Sequence, residues 1–237
     1  MITRRLSWDS NFFGAEIGEI RVLRSDYGDD IRVSCAIREL GCELAYVFLP
    51  VERDEGGGVE RIRKSLVGVG GRLMDVKIVL KKTISELKFQ DAGGGICATG
   101  GEDGLKDLAV SSGWCSRFFC DEKLRVRFRA LYEKWLEKDL RSGKVFVRMN
   151  SGRCVGMVTV SVCDGVGRIG LVAVDVEHCC RGIATGLMRD AERWLLTQGV
   201  KECVVVTQGA NSAGLALYKK CGFTVDSRAE VWHVWQQ

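Results

Sequence analysis

The stretch that decides the fold is Val176–Leu195, which reads VEHCCRGIATGLMRDAERWL. Its apolar residues recur every three or four positions from Ile183 onward, which predicts an amphipathic helix. The positions that open this helix are small or polar: Arg181, Gly182, Ala184 and Thr185. Backbone amides in a first helical turn lack intrahelical partners, and the helix dipole is positive there. The stretch therefore predicts an anion site that small side chains leave open to a phosphate.

Composition excludes several classes of protein. The chain has 237 residues, 46% hydrophobic and 28% charged, which is typical of a soluble globular protein with a sizeable core. A net charge of +4 calls for neither a nucleic acid nor a membrane as partner. The opening MITRRLSWDSNFFG has two arginines without an apolar stretch behind them, and no apolar run is long enough to span a bilayer. We expect a cytoplasmic protein.

Eleven cysteines are present, but their pattern favours neither disulfides nor a metal. Their number is odd, there is no CxxC, and the two histidines, His178 and His233, have no ligand-like spacing. We therefore expect no metal. Cys154, Cys163 and Cys203 lie in strand-like runs, where a free cysteine is commonly a small buried hydrophobe.

The first third of the chain alternates strands and helices. The predicted β-α-β-α-β order favours a small layered α/β unit over residues 1–90, whose last strand (about 72–82) is expected either to end this unit or to join the main sheet. Residues 91–104, DAGGGICATGGEDG, are rich in glycine but lack the GxxxxGK[ST] pattern of a phosphate loop. We interpret them as a linker.

Residues 105–237 follow a different order. A short helix, one long helix over 124–143 and three consecutive strands precede the helix of the opening stretch; a strand, a short helix and a terminal hairpin over 224–237 follow it. The consecutive strands predict antiparallel pairing, and the strand–helix–strand unit predicts one parallel pair. If these parallel strands part beside the helix start, an elongated ligand can lay its pyrophosphate on the helix and its tail between the strands.

Two segments resemble the GCN5-related N-acetyltransferase (GNAT) superfamily. One is CCRGIA at 179–184, which matches the family's Arg/Gln-x-x-Gly-x-Gly/Ala signature except at Cys179, and the other is NSAGLALYKKCGF at 211–223. The resemblance implies an α/β (α+β) fold: a mixed, mostly antiparallel sheet flanked by helices, with splayed parallel strands and a smaller N-terminal α/β unit. It also implies acetyl-CoA as co-substrate, with Tyr218 directed at the CoA sulfur. The implied cofactor-binding residues are Ala173, Val174, Cys179, Arg181, Gly182, Ile183, Ala184, Thr185 and Asn211, the last toward the pantetheine arm.

Each of these features also has a purely structural interpretation. Gly182 and Ala184 equally suit close packing of a helix on a sheet, and Tyr218 suits an ordinary half-buried aromatic. The two segments together, in this order of elements, favour the functional interpretation.

A second resemblance, over nearly the whole chain, is to the dTDP-fucosamine acetyltransferase branch. It is carried by LSWDSNFFGAEIGEI, GRLMDVKIVLKK and CSRFFCDEKLRVRFRALYEKWLEKDL. It implies acetylation of the amine of a nucleotide-linked 4-amino-4,6-dideoxyhexose. Trp8, Phe12 and Phe13 would supply an apolar shelf, Asp9 and Ser10 polar contacts, and Arg117 a cation for the diphosphate. Core packing, a turn and a surface charge are the corresponding structural alternatives, and a homodimer is the default assembly.

The expected chemistry is direct acyl transfer. A strand N–H near Val174 would stabilise the oxyanion, and Tyr218 would protonate the departing thiolate. No general base is assigned: Asp175, Glu177 and His178 follow the strand, and alternation is expected to send them to different faces. The alternatives are an acetyltransferase for a protein or small-molecule amine, and a non-catalytic acyl-CoA-binding module.

Overall fold

The computed structural model describes residues 1–51, 56–85 and 95–236. The chain forms two compact units. The first comprises Met1–Ile78, Gln208–Ala210 and Ser227–Gln237, and the second comprises Val79–Thr207 and Asn211–Asp226. Two strands, β4 (Arg72–Thr83) and β10 (Thr224–Trp235), therefore contribute residues to both.

The first unit is a small sheet with helices. Its elements are β1 (Ile2–Arg5), α1 (Ser7–Phe13), β2 (Ile17–Arg21), α2 (Asp30–Leu40), β3 (Leu44–Pro50) and α3 (Gly58–Gly68), with parts of β4 and β10. Strands β2 and β3 are parallel, whereas β1–β2 and β3–β10 are antiparallel. Val47 of β3, Ile62 of α3 and Val234 of β10 share one buried apolar core. The strands and helices predicted for this third of the chain are confirmed.

The expected C-terminal hairpin is wrong. Thr224–Trp235 is one twelve-residue strand, and its second half pairs antiparallel with all of β3. Asp226 and Ser227 are common in turns, but the segment has no glycine, and none of its described residues adopts the positive φ that a tight hairpin turn usually needs. Pairing with β3 keeps the segment extended.

The second unit is built on a mixed sheet in the order β4-β9-β8-β7-β6-β5. Its other elements are α4 (Leu105–Ser111), α5 (Arg117–Cys120), α6 (Glu122–Arg125), α7 (Phe128–Ser142), α8 (Ile183–Thr197), α9 (Ser212–Lys220), β5 (Ile96–Cys97), β6 (Lys144–Asn150), β7 (Arg153–Cys163), β8 (Val166–Val174) and β9 (Glu202–Gln208). Strands β5 to β8 pair antiparallel, and β8 pairs parallel with β9. This is the mixed sheet that the sequence predicts.

Helices α7 and α8 lie on opposite faces of this sheet. On one face, a Cβ on Gly156 of β7 would lie 2.6 Å from the side chain of Ile183, so α8 packs directly on the strand. On the other face, a Cβ on Gly170 of β8 would overlap Thr159 and lie 3.2 Å from the carboxylate of Asp139, which is on α7. Glycine is needed at both positions because a neighbour occupies the place of a side chain.

Three further expectations need correction. The helix expected over 124–143 is interrupted: α6 ends at Arg125 and α7 begins at Phe128, with Val126 exposed between them. Part of the glycine-rich segment lies outside the described residues, but 96–97 form β5, which pairs with β6, rather than a plain linker. Cys154 and Cys203 are buried as expected, whereas Cys163 is exposed because it ends β7 at the turn to β8. No helix in the described part of the chain has the length and apolar character needed to cross a membrane.

Candidate functional site

The strands β8 and β9 separate beside the start of α8. They pair only where Gly167–Ile169 faces Cys203–Val205, although β8 continues to Val174 and β9 to Gln208. A bulge in β8 contributes to this separation, because two residues, Gly170 and Leu171, lie opposite the single residue Thr159 of β7. The expected splayed parallel strands are therefore present, and they leave an opening in the sheet.

Two backbone amides of β8 point into this opening. The N–H of Leu171 donates to the hydroxyl of Thr159 at 2.9 Å, and the N–H of Asp175 donates to the carbonyl of Val155 at 2.9 Å, both on β7. Amides alternate in direction along a strand, so those of Val172 and Val174 face away from β7, toward the side where pairing with β9 has ended. By the same alternation, the amide of Ala173 is directed to β7. The opening thus has two N–H donors, about 6.5 Å apart along the strand, each for a separate acceptor oxygen.

The start of α8 forms a cradle for an anion. Gly182 is the N-cap residue with φ 79°, Cys180 has φ 61°, and no side chain caps the helix. The first intrahelical bond runs from the N–H of Gly186 to the carbonyl of Gly182, at 2.9 Å. The amides of the first turn, at residues 183–185, precede it and so have no intrahelical partner. A Cβ on Gly182 would meet nothing within 4 Å, so the cradle is open.

The side chains that precede the cradle are directed away from it. The guanidinium of Arg181 donates to the carbonyl of Glu177 at 3.0 Å, and the thiol of Cys179 lies 3.4 Å from the carbonyl oxygen of Asp175. Neither side chain therefore enters the cradle. The N–H of Cys179 donates to the carbonyl of Val176 at 3.4 Å.

Two buried ion pairs hold α8 on the sheet, and the sequence alone did not reveal them. Asp190 accepts from Arg148 of β6 at 2.5 Å, and Glu192 accepts from Lys82 of β4 at 2.6 Å. Both carboxylates are almost fully buried. Removing one partner of such a pair typically lowers the free energy of unfolding by about 3–5 kcal/mol, because the other charge is left buried without a partner.

Tyr218 of α9 is buried, with 4% of its surface exposed, and packs edge-to-face on Phe223 at 6.1 Å between ring centroids. Burial raises the pKa of its phenol, and the nearby thiol of Cys221 adds to this effect. Within the described part of the chain, no group forms a hydrogen bond with its hydroxyl. The phenol is therefore protonated at neutral pH.

Asn211 is the N-cap of α9. Its side-chain oxygen accepts the N–H of Gly214 at 2.9 Å, and its side-chain nitrogen donates to the hydroxyl of Thr207 at 3.1 Å. A Cβ on Gly214 would lie 2.6 Å from that nitrogen, so glycine is required next to the cap. Asn211 thus fixes the start of α9 near the end of β9, and one proton of its amide remains for another acceptor.

His178 and Asp175 lie together, contrary to the expectation that strand alternation separates them. The chain leaves β8 in a 3-10 turn at Val176–His178, which brings residues three apart into contact. His178 Nδ1 lies 3.3 Å from Asp175 Oδ1, and its Nε2 lies 2.9 Å from the amide nitrogen of Asn150. The hydrogen bond from His178 lowers the pKa of Asp175. Because Asn150 occupies the Nε2 lone pair, this histidine is held in place rather than left open as a base.

A second carboxylate that the sequence did not single out lies against β8. Asp139, in the last turns of α7, sits over Gly170 beside the hydroxyl of Thr159. Burial raises the pKa of Asp139, an effect that Thr159 and the charge of Lys138 partly offset. The glycine inside the strand pattern GRIGLV is the one sequence signal of this close approach.

The residues expected to bind the acceptor belong to both units. Trp8 and Phe12 stack in α1 of the first unit, with ring centroids 5.1 Å apart, and half of the Trp8 surface is exposed. Asp9 lies in the first turn of the same helix, and Ser10 bonds to the backbone of its own unit. Arg117 lies on α5 of the second unit, with its guanidinium 4.4 Å from the ring centre of Phe118. Among the described residues, no group of side chains is arranged to hold a metal ion.

Comparison with known proteins agrees with this geometry. Residues 112–223 match the model of the acetyltransferase (GNAT) family. An uncharacterized N-acetyltransferase of Bacillus subtilis (strain 168), YobR, is 28% identical over 115 residues, which are 48% of this chain and 46% of that protein. The match thus spans less than half the length of this curated relative.

Solved structures show the same fold. A GCN5-related N-acetyltransferase from Sphaerobacter thermophilus superposes with a TM-score of 0.59 at 16% identity, covering 98% of this chain and 75% of that one. Another, from Kribbella flavida, gives a TM-score of 0.53 at 13% identity, covering 94% and 82%. The match to the model of the GNAT family covers residues 112–223, and the splayed strands and the uncapped start of α8 lie within this range.

Proposed function

We propose that the protein transfers an acetyl group from acetyl-CoA to an amine. The observation that carries this proposal is the opening between β8 and β9, which meets the uncapped start of α8 at one end. A pyrophosphate fits the cradle, because three free amides and the positive end of a helix dipole converge there. The extended pantetheine arm then follows the opening, where it replaces the missing strand pairing.

In this arrangement the thioester carbonyl meets one of the amides of Val172 and Val174, and the pantetheine arm meets the other, because the two amides lie about 6.5 Å apart along the strand. Attack by an amine turns this carbonyl oxygen into an oxyanion, and preorganised N–H donors stabilise that charge more than they stabilise the starting carbonyl. Tyr218 is the group that protonates the departing thiolate. Its raised pKa keeps the phenol in the protonated form that this role requires.

The acceptor we propose is the amine of a nucleotide-linked amino sugar of the dTDP-4-amino-4,6-dideoxyhexose type. This rests on the sequence resemblance, and the half-exposed stack of Trp8 on Phe12 is consistent with an apolar shelf for a base or sugar. Arg117 supplies a guanidinium for the diphosphate, and Asp9 supplies a carboxylate for a sugar hydroxyl or the amine.

The test is thiol release from acetyl-CoA by the purified protein. The nucleotide sugar dTDP-4-amino-4,6-dideoxygalactose is one acceptor, and ethanolamine and a lysine peptide are the controls. We expect thiol release with the nucleotide sugar. Release with a control amine alone would keep the acetyltransferase and reject the sugar. Tight acetyl-CoA binding, measured by calorimetry, without thiol release with any amine would instead favour a non-catalytic acyl-CoA-binding module.

A further inference from the structure

One carboxylate beside the opening has no role in the mechanism so far. Asp139 lies on α7, on the face of the sheet opposite α8. In the described part of the chain no lysine or arginine pairs with it, and Lys138 acts on it only through its charge. A half-buried carboxylate without a cation partner is costly for a folded protein to keep, so its position calls for a reason.

The carboxylate is held against the backbone of β8. A Cβ on Gly170 would lie 3.2 Å from Asp139 Oδ2, so this oxygen occupies the space where another residue would have its side chain. Gly170 is itself exposed, so solvent or a ligand reaches this point of the strand. Val172, whose amide faces the opening, is two residues further along, which is about 6.5 Å of strand. A small group bound between them would touch both the carboxylate and the amide of Val172.

Thr159 fixes the orientation of Asp139. Its hydroxyl accepts the N–H of Leu171 at 2.9 Å, so its own proton is free to point at the neighbouring carboxylate. Thr159 is fully buried, and its position is set by the pairing of β7 with β8. Thr159 lies opposite the bulge in β8, and its hydroxyl forms the hydrogen bond with Asp139. The bulge that contributes to the opening therefore also positions this carboxylate.

We propose that Asp139 is the catalytic base that accepts the proton of the acceptor amine. This inference rests on the proposed function. The nitrogen of the neutral amine attacks the thioester carbon, the new C–N bond forms, and an N–H proton passes to the carboxylate of Asp139. The C–S bond then breaks with its electron pair on sulfur, which takes the proton of Tyr218. Proton exchange with solvent returns Asp139 to the carboxylate and Tyr218 to the phenol.

The surroundings of Asp139 suit this role. Burial raises its pKa from the ordinary range of an aspartate, which makes the carboxylate a stronger proton acceptor. Lys138, on its own helix, is the charged group that acts on it, and β7 and β8 present Thr159 and Gly170, which do not titrate. In the complex with a bound neutral amine, kcat is therefore expected to rise with pH as this carboxyl group loses its proton.

The test compares Asp139→Asn and Asp139→Glu with a matched control, Asp164→Asn, which changes an exposed aspartate in the turn between β7 and β8. Thiol release is measured from pH 5 to 9 with dTDP-4-amino-4,6-dideoxygalactose, ethanolamine and a lysine peptide, and acetyl-CoA affinity is measured by calorimetry. We expect Asp139→Asn to lower kcat by about a hundredfold and to remove the acid limb from the pH profile of kcat, with acetyl-CoA affinity unchanged within about twofold. The profile of kcat/KM keeps an acid limb in this variant, because the free acceptor amine must still lose its own proton. Asp139→Glu should keep an acid limb in the profile of kcat.

Three results would overturn the inference, and they are distinguishable. An Asp139→Asn enzyme that keeps the wild-type kcat and the acid limb of its pH profile would remove Asp139 from the chemistry and leave the proposed function intact. Loss of acetyl-CoA binding together with activity would make Asp139 a structural residue. A folded wild-type protein that acetylates none of the amines would reject the proposed function, and this inference with it.

Discussion

At Gly170 the backbone of β8 passes so close to Thr159 and Asp139 that no side chain fits between them. The same residue begins the bulge that ends the pairing of β8 with β9. Because Gly170 has no side chain, the carboxylate of Asp139 can lie beside the opening in the sheet and beside the outward-facing amides of β8. Residue-scale geometry of this kind determines what the site can bind.

Gly170→Ala tests this close approach. The added methyl overlaps the hydroxyl of Thr159, so either β7 or β8 must shift, and overpacking of this kind typically costs about 1–3 kcal/mol. The measurement is the urea concentration at the midpoint of unfolding, which we expect to fall. Gly101→Ala is the control, because a Cβ there meets nothing within 4 Å. Equal midpoints for the two variants would show that a methyl group at position 170 is accommodated without loss of stability.

Tyr218→Phe tests the proton donor. The substitution removes one oxygen from a buried ring that packs on Phe223, so the fold should survive. If the phenol protonates the thiolate, turnover should fall by about a hundredfold while acetyl-CoA affinity stays within about twofold. Tyr132→Phe, which removes a buried phenol from α7, is the control for loss of a hydroxyl alone. Wild-type turnover in Tyr218→Phe would assign the proton to another donor.

At the residue scale, sequence reasoning succeeded where the signal is local and failed where it is not. The small residues around Gly182 predict a cradle because the amides and the side chains that would block them are neighbours in the chain. Asp139 and Gly170 are 31 positions apart, and only the packing of α7 on the sheet brings them together. The contact of Asp175 with His178 depended on a 3-10 turn that strand periodicity does not indicate.

Among the elements, α8 connects the sequence to the site most directly. Its apolar stripe determines which face of the helix packs on the sheet. The ion pairs of Asp190 and Glu192 with basic residues of the sheet hold the helix in position. Such elements were predicted well because their periodicity is strong. The break in the helix expected over 124–143 was not predicted, because the apolar spacing continues across Val126. Asp121, the N-cap residue of α6, lies just before the apolar pattern begins.

Ala184→Asp tests the cradle at the start of α8. A carboxylate in the first turn interacts favourably with the positive end of the helix dipole, so the variant should be at least as stable as the wild type. The same charge repels a bound pyrophosphate, and we expect acetyl-CoA affinity to fall about tenfold or more. Gln198→Glu places an equal charge at the other end of the helix, about 20 Å away, and should leave the affinity unchanged. Calorimetry on the three proteins makes the comparison, and unchanged affinity in Ala184→Asp would place the pyrophosphate elsewhere.

At the scale of the whole chain, the two units are interleaved in sequence. The first unit takes residues 1–78 from the start of the chain and Ser227–Gln237 from its end. The sequence predicted a single boundary near residue 90. The periodicity that predicts a strand does not indicate which distant strand it pairs with, so the return of the C-terminal strand to the first unit was not predicted. Strand β10 pairs with β3 from Leu44 to Pro50, and Trp232 and Val234 enter the core of the first unit.

This interleaving predicts that residues 1–90 do not fold when expressed alone. Without β10, strand β3 exposes an unpaired edge, and the core loses Trp232 and Val234, which costs several kcal/mol in a unit whose total stability is about 5–15 kcal/mol. Circular dichroism and amide proton dispersion should report an unfolded fragment. Fusing residues 224–236 to its C-terminus through a flexible linker should restore structure, whereas the same fusion with Trp232 and Val234 replaced by alanine should not. A cooperatively folded 1–90 fragment would instead make it a domain in its own right, to which the C-terminal strand is only added.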